Sequence, residues 1–231
     1  MRRAAWSLLA CAVLASGCAT KTTRYYTLAA PGMDAAAASA QGGARAAAAA
    51  PSIFIELAPL AIADRLARPQ MLVRPAGSRD GAAEVEVLEQ HRWASSLENE
   101  LRDALGSGIA AQLGAVDVTR GTRPPGTVAW RLAVQVRQFD ALENGRVDAA
   151  FSWTVRRSDD GVQSAACQWS SSEAVGPGID ALAEGARRLT ARAAETMARH
   201  VAQQQTSPGA PCSAEPGRAT AAVPQPARAP G

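Results

Sequence analysis

Val128-Ala129-Trp130-Arg131-Leu132-Ala133-Val134-Gln135-Val136-Arg137, then Asn144-Gly145, then Val147-Asp148-Ala149-Ala150-Phe151-Ser152-Trp153-Thr154-Val155-Arg156 is the stretch that decides the fold. In extended chain, successive side chains point to opposite faces. Val128, Trp130, Leu132, Val134 and Val136 therefore share one face, against Arg131, Gln135 and Arg137. Val147, Ala149, Phe151, Trp153 and Val155 repeat the pattern, against Asp148, Ser152, Thr154 and Arg156. Asn144-Gly145 predicts a two-residue hairpin turn, because both residues tolerate positive φ. Asp160-Gly161 turns the chain into a third strand over 162–170, so Asp159-Asp160 reads as turn chemistry and not as a catalytic pair. This antiparallel meander has one apolar face, and something must cover it.

Two helices are predicted to do so. Ser95-Ser96-Leu97-Glu98 matches a capping box. Leu97, Leu101, Leu105, Ile109 and Leu113 follow at steps of four, and Gly114 is placed to end the helix. Gly106 and Gly108 inside it each cost roughly 1 kcal/mol relative to alanine, which points to close packing there. The second helix follows Pro177-Gly178 and runs to 202. Its apolar stripe is Leu182, Ala186, Leu189, Ala193, Met197 and Val201, while Glu184, Arg187, Arg188, Arg192, Glu195 and Arg199 face away. Upstream, 52–57, 70–74 and 84–88 read as short strands, the last two joined by a turn at Asp80-Gly81. Two amphipathic helices on a mainly antiparallel sheet give an α/β (α+β) two-layer sandwich over 51–202.

The N-terminus has a different logic. Met1-Arg2-Arg3 precedes a short run of apolar and small residues that ends in Ala15-Ser16-Gly17-Cys18. A charged start, a short apolar stretch and a small-residue exit make 1–17 a secretory signal peptide. The run is well short of the ~20 residues that a spanning helix needs. Ala15-Ser16-Gly17-Cys18 resembles a bacterial lipobox, although Ala15 stands where leucine is usual. Acyl chains on Cys18 would bury many methylenes at ~0.8 kcal/mol each, enough for stable anchoring. Ala19, rather than an aspartate, after the cysteine implies the outer membrane by resemblance to sorting rules. Residues 18–50 read as a lipidated, Ala- and Gly-rich tether, apart from the more apolar Tyr25-Tyr26-Thr27-Leu28. The Gln-, Ala- and Pro-rich 203–231 is expected to be a disordered tail. Loss of Arg2 and Arg3 takes two from the 24 basic side chains, against 21 acidic ones. The mature chain is then nearly neutral, and nothing suggests a nucleic-acid partner.

Little in the chain promises catalysis. His91 and His200 are the only histidines; neither has a partner at metal-ligand spacing, and both read as surface residues. Cys-x-x-Cys, His-Glu-x-x-His and phosphate-loop patterns are missing from the sequence. No metal and no cofactor beyond the covalent lipid is expected, and the chain does not read as an enzyme. Once Cys18 is acylated, Cys167 and Cys212 remain as thiols in an oxidising compartment, where they can pair. The alternative is a buried Cys167 and a free Cys212 in the tail. The tryptophans Trp93, Trp130, Trp153 and Trp169 read mainly as core, with Trp93 the one that could rim a pocket.

The ordered motifs resemble a known family. Tyr25-Tyr26-Thr27-Leu28 is similar to its Tyr-Tyr-x-Leu opening, and 55–60 (Ile-Glu-Leu-Ala-Pro-Leu) to its first core strand. Leu66-Ala67-Arg68-Pro69-Gln70-Met71-Leu72-Val73-Arg74 resembles its Leu-x-Arg-Pro-Gln block, and Trp93 followed by Leu97 and Leu101 its Trp-then-helix step. The family is the ABC-type transport auxiliary lipoproteins (the PqiC or YmbA type). The resemblance implies a non-catalytic accessory of an MCE-domain protein and an ABC permease and ATPase that move lipid between membranes, acting with the possibility of homo-oligomers. On that reading Arg68, Pro69 and Gln70, with Tyr25, Tyr26 and Trp93, are candidate partner contacts. The 68–70 segment could equally be a bend that merely feeds the next strand. The competing functions are an assembly lipoprotein for outer-membrane protein or lipopolysaccharide insertion and a periplasmic hydrolase with an unrecognised site, against which the scarcity of histidine argues.

Overall fold

The long alternating runs form β6 (Ala129–Leu142) and β7 (Arg146–Arg157), paired antiparallel along almost their whole length. They are described here in a computed structural model that covers residues 22–29, 53–79, 83–159 and 166–212. The signal, Cys18 and most of the tether lie outside the described residues, as do the turns at Asp80-Gly81 and Asp160-Gly161.

Before β6 come β1 (Arg24–Tyr26), β2 (Phe54–Leu57), a short 3-10 turn (Asp64–Leu66), β3 (Gln70–Val73), β4 (Glu86–Trp93), helix α1 (Leu97–Leu113) and β5 (Val116–Asp117). After β7 come β8 (Cys167–Ala174) and helix α2 (Ile179–Thr206). The expected two layers of helix on sheet are present, but the strands divide into two sheets. One is ordered β1-β4-β3 and the other β5-β2-β6-β7-β8. The long pairings β6–β7, β7–β8 and β3–β4 are antiparallel, while β1–β4, β2–β5 and β2–β6 are parallel.

Inward alternation places Leu132, Val134, Val136, Val147, Phe151, Trp153 and Val155 in the core. A register shift between Val136 and Gln138 changes the parity, so Phe139 rather than Gln138 turns inward. The hairpin is one residue longer than Asn144-Gly145 suggests. Leu142 pairs with Arg146 around a three-residue loop, and Asn144 alone takes positive φ, at 54°. Strand β4 starts later than expected, at Glu86, and continues through His91 to Trp93.

The helices match their stripes. Leu97, Leu101, Leu105 and Ile109 are buried on α1, and all six stripe residues are buried on α2. The cap of α1 is Ser96, whose side chain accepts from the Asn99 amide, and not the Ser95–Glu98 box. Gly114 ends α1 in the left-handed region at φ 59°. Helix α2 runs four residues beyond the predicted end, to Thr206, and residues 207–212 fold back on the domain. The expected disorder therefore does not begin at 203; residues beyond 212 lie outside the described residues.

The two helices touch each other. A Cβ on Gly108 would come within 2.8 Å of the Ala194 Cβ, an atom held close to its own backbone. Alanine there would gain roughly 1 kcal/mol of helix propensity, but overpacking costs about 1–3 kcal/mol. Gly108→Ala is therefore expected to lower the unfolding free energy by about 1 kcal/mol, measured by urea denaturation.

Candidate functional site

Two strand pairings and two short backbone hydrogen bonds gather the motif residues at one end of the small sheet. Tyr26 lies opposite Trp93 in the β1–β4 register, and Gln70 lies opposite Arg92 in β3–β4. The Trp93 amide donates to the Pro69 carbonyl at 2.7 Å, and the Ala94 amide to the Tyr26 carbonyl at 2.7 Å. Residues 68–70, Trp93 and Tyr25-Tyr26 thus form one contiguous region, although they come from three separate stretches of sequence.

Their exposure separates them. Arg68 and Pro69 are exposed, Gln70 is half-buried, and Tyr25 is 66% exposed, an unusual state for so large an aromatic ring. Trp93 is 6% exposed and lines an apolar crevice with Leu66, Gln70, Met71, Leu97 and Leu182. It is a core residue, not a rim residue, and it supports the surface from below. Residues 68–70 do feed β3, yet the proline and arginine side chains remain on the surface.

Tyr26 is engaged internally. Its hydroxyl donates to Asp180 Oδ1 at 2.7 Å, and His91 Nδ1 lies 2.9 Å away. A hydroxyl has one proton to give, so the ring N–H must sit on His91 Nδ1 and point at the tyrosine oxygen. Burial, reinforced by the bond to Asp180, pushes the Tyr26 hydroxyl up to about 12. The same bond and nearby Arg24, 3.0 Å from Asp180, hold the Asp180 carboxyl below its ordinary range. This cluster fastens β1 to the start of α2.

Sequence reasoning missed the residue that fixes β1 most firmly. Glu100, 7% exposed in the first turn of α1, accepts from the Leu28 amide, Thr27 Oγ1, the Ser95 amide and Ser95 Oγ at 2.9–3.0 Å. The signal was available: Glu100 stands three residues after Leu97 and four before Ala104, on the apolar side of the helix.

The opposite end of α2 holds a second buried cluster. His200 is 4% exposed, which corrects the surface reading. Its Nδ1 accepts from Trp153 Nε1 at 3.0 Å, and Gln204 adjoins Nε2 at 3.1 Å. Gln204 also accepts from the Gly209 amide and donates to the Ala210 carbonyl, drawing the chain back after α2. Cys167 and Cys212 are joined there by a disulfide with Cα atoms 5.6 Å apart. A separation of 45 residues corresponds to about 4 kcal/mol in the chain-entropy account. Cys167, Cys212 and His200 also bring three ligand-type atoms within 4.8 Å of one another. The cross-link uses both thiols and Trp153 occupies Nδ1, so this arrangement braces the fold and offers no open metal site.

A model of the family described as "ABC-type transport auxiliary lipoprotein component" matches residues 26–198, and the chain belongs to that family. Among solved structures it is similar to an uncharacterized protein (TM-score 0.57, 17% identity, 78% of this chain and 99% of that one). It is also similar to a DUF330-family protein from Xanthomonas campestris (TM-score 0.51, 18% identity, 70% and 92%). At these identities the likeness is one of fold. No curated protein matches the chain. No helix among the described residues is long and apolar enough to cross a membrane.

Two measurements check these clusters. Glu100→Ala leaves buried donors unpaired and is expected to cost about 3 kcal/mol, with faster amide exchange at Leu28 and Ser95. Burial holds His200 below its ordinary value of 6.5, so the unfolded chain takes up a proton that the folded chain refuses. This contribution is complete above pH 6.5 and declines as the pH falls below it. Urea titrations at several pH values should show that decline, and His200→Asn should flatten it.

Proposed function

We propose that the protein is an outer-membrane lipoprotein, anchored through acyl chains on Cys18, that serves an MCE- and ABC-type lipid transport system as a non-catalytic accessory. Membership of the transport auxiliary family supports the association with an ABC-type system. The observation that carries the docking role is the surface formed by Tyr25, Arg68 and Pro69. An exposed aromatic ring on β1 and an exposed arginine in the proline-fixed loop before β3, on either side of β4, have the composition of a protein contact. Tyrosine and arginine give large contact areas for little lost freedom, and they dominate binding hot spots.

The surface is rigid where it matters. Pro69 is tied to Trp93 through the backbone, and Trp93 is packed into the core. The face also lies next to β1, whose first residue is six positions beyond Cys18. The anchor and the docking face are therefore coupled through a single short strand. The natural partner is the periplasmic end of a conduit built from MCE domains, with the domain held against it from the periplasm-facing leaflet of the outer membrane.

Arg68→Glu should reduce co-purification of an MCE-domain partner at least fivefold, with urea stability within about 0.5 kcal/mol of the parent because the side chain is exposed. Labelled palmitate should enter the parent protein and not Cys18→Ser. Unchanged co-purification would remove the docking face, and unlabelled parent protein would remove the anchor.

A further inference from the structure

The segment between β2 and β3 carries charge that the domain does not neutralise. It is clamped along its length. The Ala58 amide donates to the Leu132 carbonyl at 2.9 Å, the Ala61 amide to the Val134 carbonyl at 3.1 Å, and the Val136 amide to the Ala61 carbonyl at 2.8 Å. Leu60 and Leu66, each 5% exposed, anchor the segment in the core. Around Leu66 the chain is tightly folded. The Leu66 amide donates to the Ala63 carbonyl, the Ala67 amide to that of Asp64 and the Arg68 amide to that of Leu66, at 2.8–3.1 Å. The exposed residues left on this rigid frame are Asp64, Arg65, Ala67, Arg68 and Pro69.

The arginines of the small sheet and of this segment divide into two kinds. Arg24 is paired with Asp180 at 3.0 Å and Arg92 with Glu89 at 3.1 Å. Arg65 and Arg68 are exposed, and neither side chain makes a hydrogen bond or ion pair among the described residues. One lies in the 3-10 turn and the other just after it, on either side of buried Leu66 in the sequence. Both guanidiniums are open to a ligand. The backbone beneath them needs no reordering, which lowers the cost of binding. A bilayer surface is a poor fit. Asp64, also exposed, directly precedes Arg65, and Glu89 on β4 is exposed as well. A uniformly anionic plane would repel both carboxylates, whereas a protein surface can place acids opposite the arginines alone.

We infer that Arg65 and Arg68 dock together on carboxylates of the protein partner, which offers an acidic loop to this face. The inference rests on the docking reading above and adds to it Arg65 and the partner's charge. A guanidinium presents paired N–H donors that match the two oxygens of a carboxylate. Opposite charges at an interface speed encounter and suppress wrong partners. The whole chain has 24 basic against 21 acidic side chains, so its long-range attraction is weak and recognition is local. Tyr25, on the far side of β4, supplies the apolar contact that the two arginines lack.

The test measures binding of the full lipoprotein, in non-ionic detergent, to the immobilised full-length MCE-domain protein of the same source. Each variant is first checked for an unchanged melting temperature. Arg65→Glu is expected to weaken binding about tenfold and Arg65→Gln by less, with the difference shrinking as salt is raised. Arg123→Glu, an exposed arginine between β5 and β6, should bind as the parent does. Replacing the partner's acids by lysine, one at a time, should yield a position at which Arg65→Glu binds better than the parent. A second arm floats the Cys18→Ser chain with vesicles of phosphatidylethanolamine and phosphatidylglycerol, and no association is expected. Vesicle binding that Arg65→Glu abolishes would assign the arginines to a bilayer and overturn the inference. So would an unaffected Arg65→Glu, an equal loss in Arg123→Glu, indifference to salt, or the lack of any rescuing position. If Tyr25→Ala and Arg68→Glu still weaken binding in those cases, the docking reading stands and only the acidic partner is lost. If neither weakens it, both fall.

Discussion

The carboxylate of Glu100 is the point on which the arrangement of the N-terminus depends. Strand β1 has only three residues and pairs along one edge with β4, too little backbone bonding to hold a chain end in place. Four donors converging on one buried side chain supply what the ladder lacks. They join Thr27, Leu28 and Ser95 to the first turn of α1 through Glu100, so the segment after β1 is part of the domain. Charge-assisted bonds of this kind are roughly twice as strong as neutral ones. The Tyr26–Asp180 bond adds a second hold on the same strand from α2.

Much of the fold was legible because local chemistry agreed with the global result. The alternation over 129–136 and 147–155 fixes the meander, since a one-residue slip would turn Phe151 and Trp153 to solvent. The leucine steps of α1 and the stripe of α2 identify their buried faces for the same reason. The division into two sheets was not legible. Parallel pairings such as β1 with β4 and β2 with β6 join segments remote in sequence, and no turn residue announces them. The shift at Val136 and Gln138 and the third loop residue at Glu143 also leave no compositional mark.

The candidate residues were legible as motifs but not as neighbours. Strand pairing brings Tyr26 opposite Trp93 and Gln70 opposite Arg92, a proximity that their order in the sequence does not show. Which of them face solvent depends on packing that the sequence does not print, and Trp93 is the clearest case. His200 and Glu100 were misjudged or missed for one reason: polar side chains were assigned to the surface by type. Each lies three residues after a stripe member, Met197 or Leu97, and so on the inner side of its helix.

The parallel pairing of β1 has a mechanical meaning. If lipid at Cys18 is held in a bilayer while the face at Arg68 is held by a partner, tension enters the domain at Arg24 along the strand axis. Side-by-side strands loaded lengthwise resist in shear, with their bonds strained together instead of peeling one after another. The route from Tyr26 through Trp93 to Pro69 crosses only two backbone hydrogen bonds beyond the β1–β4 ladder. A pull on the strand would be shared between this short strap and the bonds of Glu100 and Asp180, which carry it into the first turns of both helices.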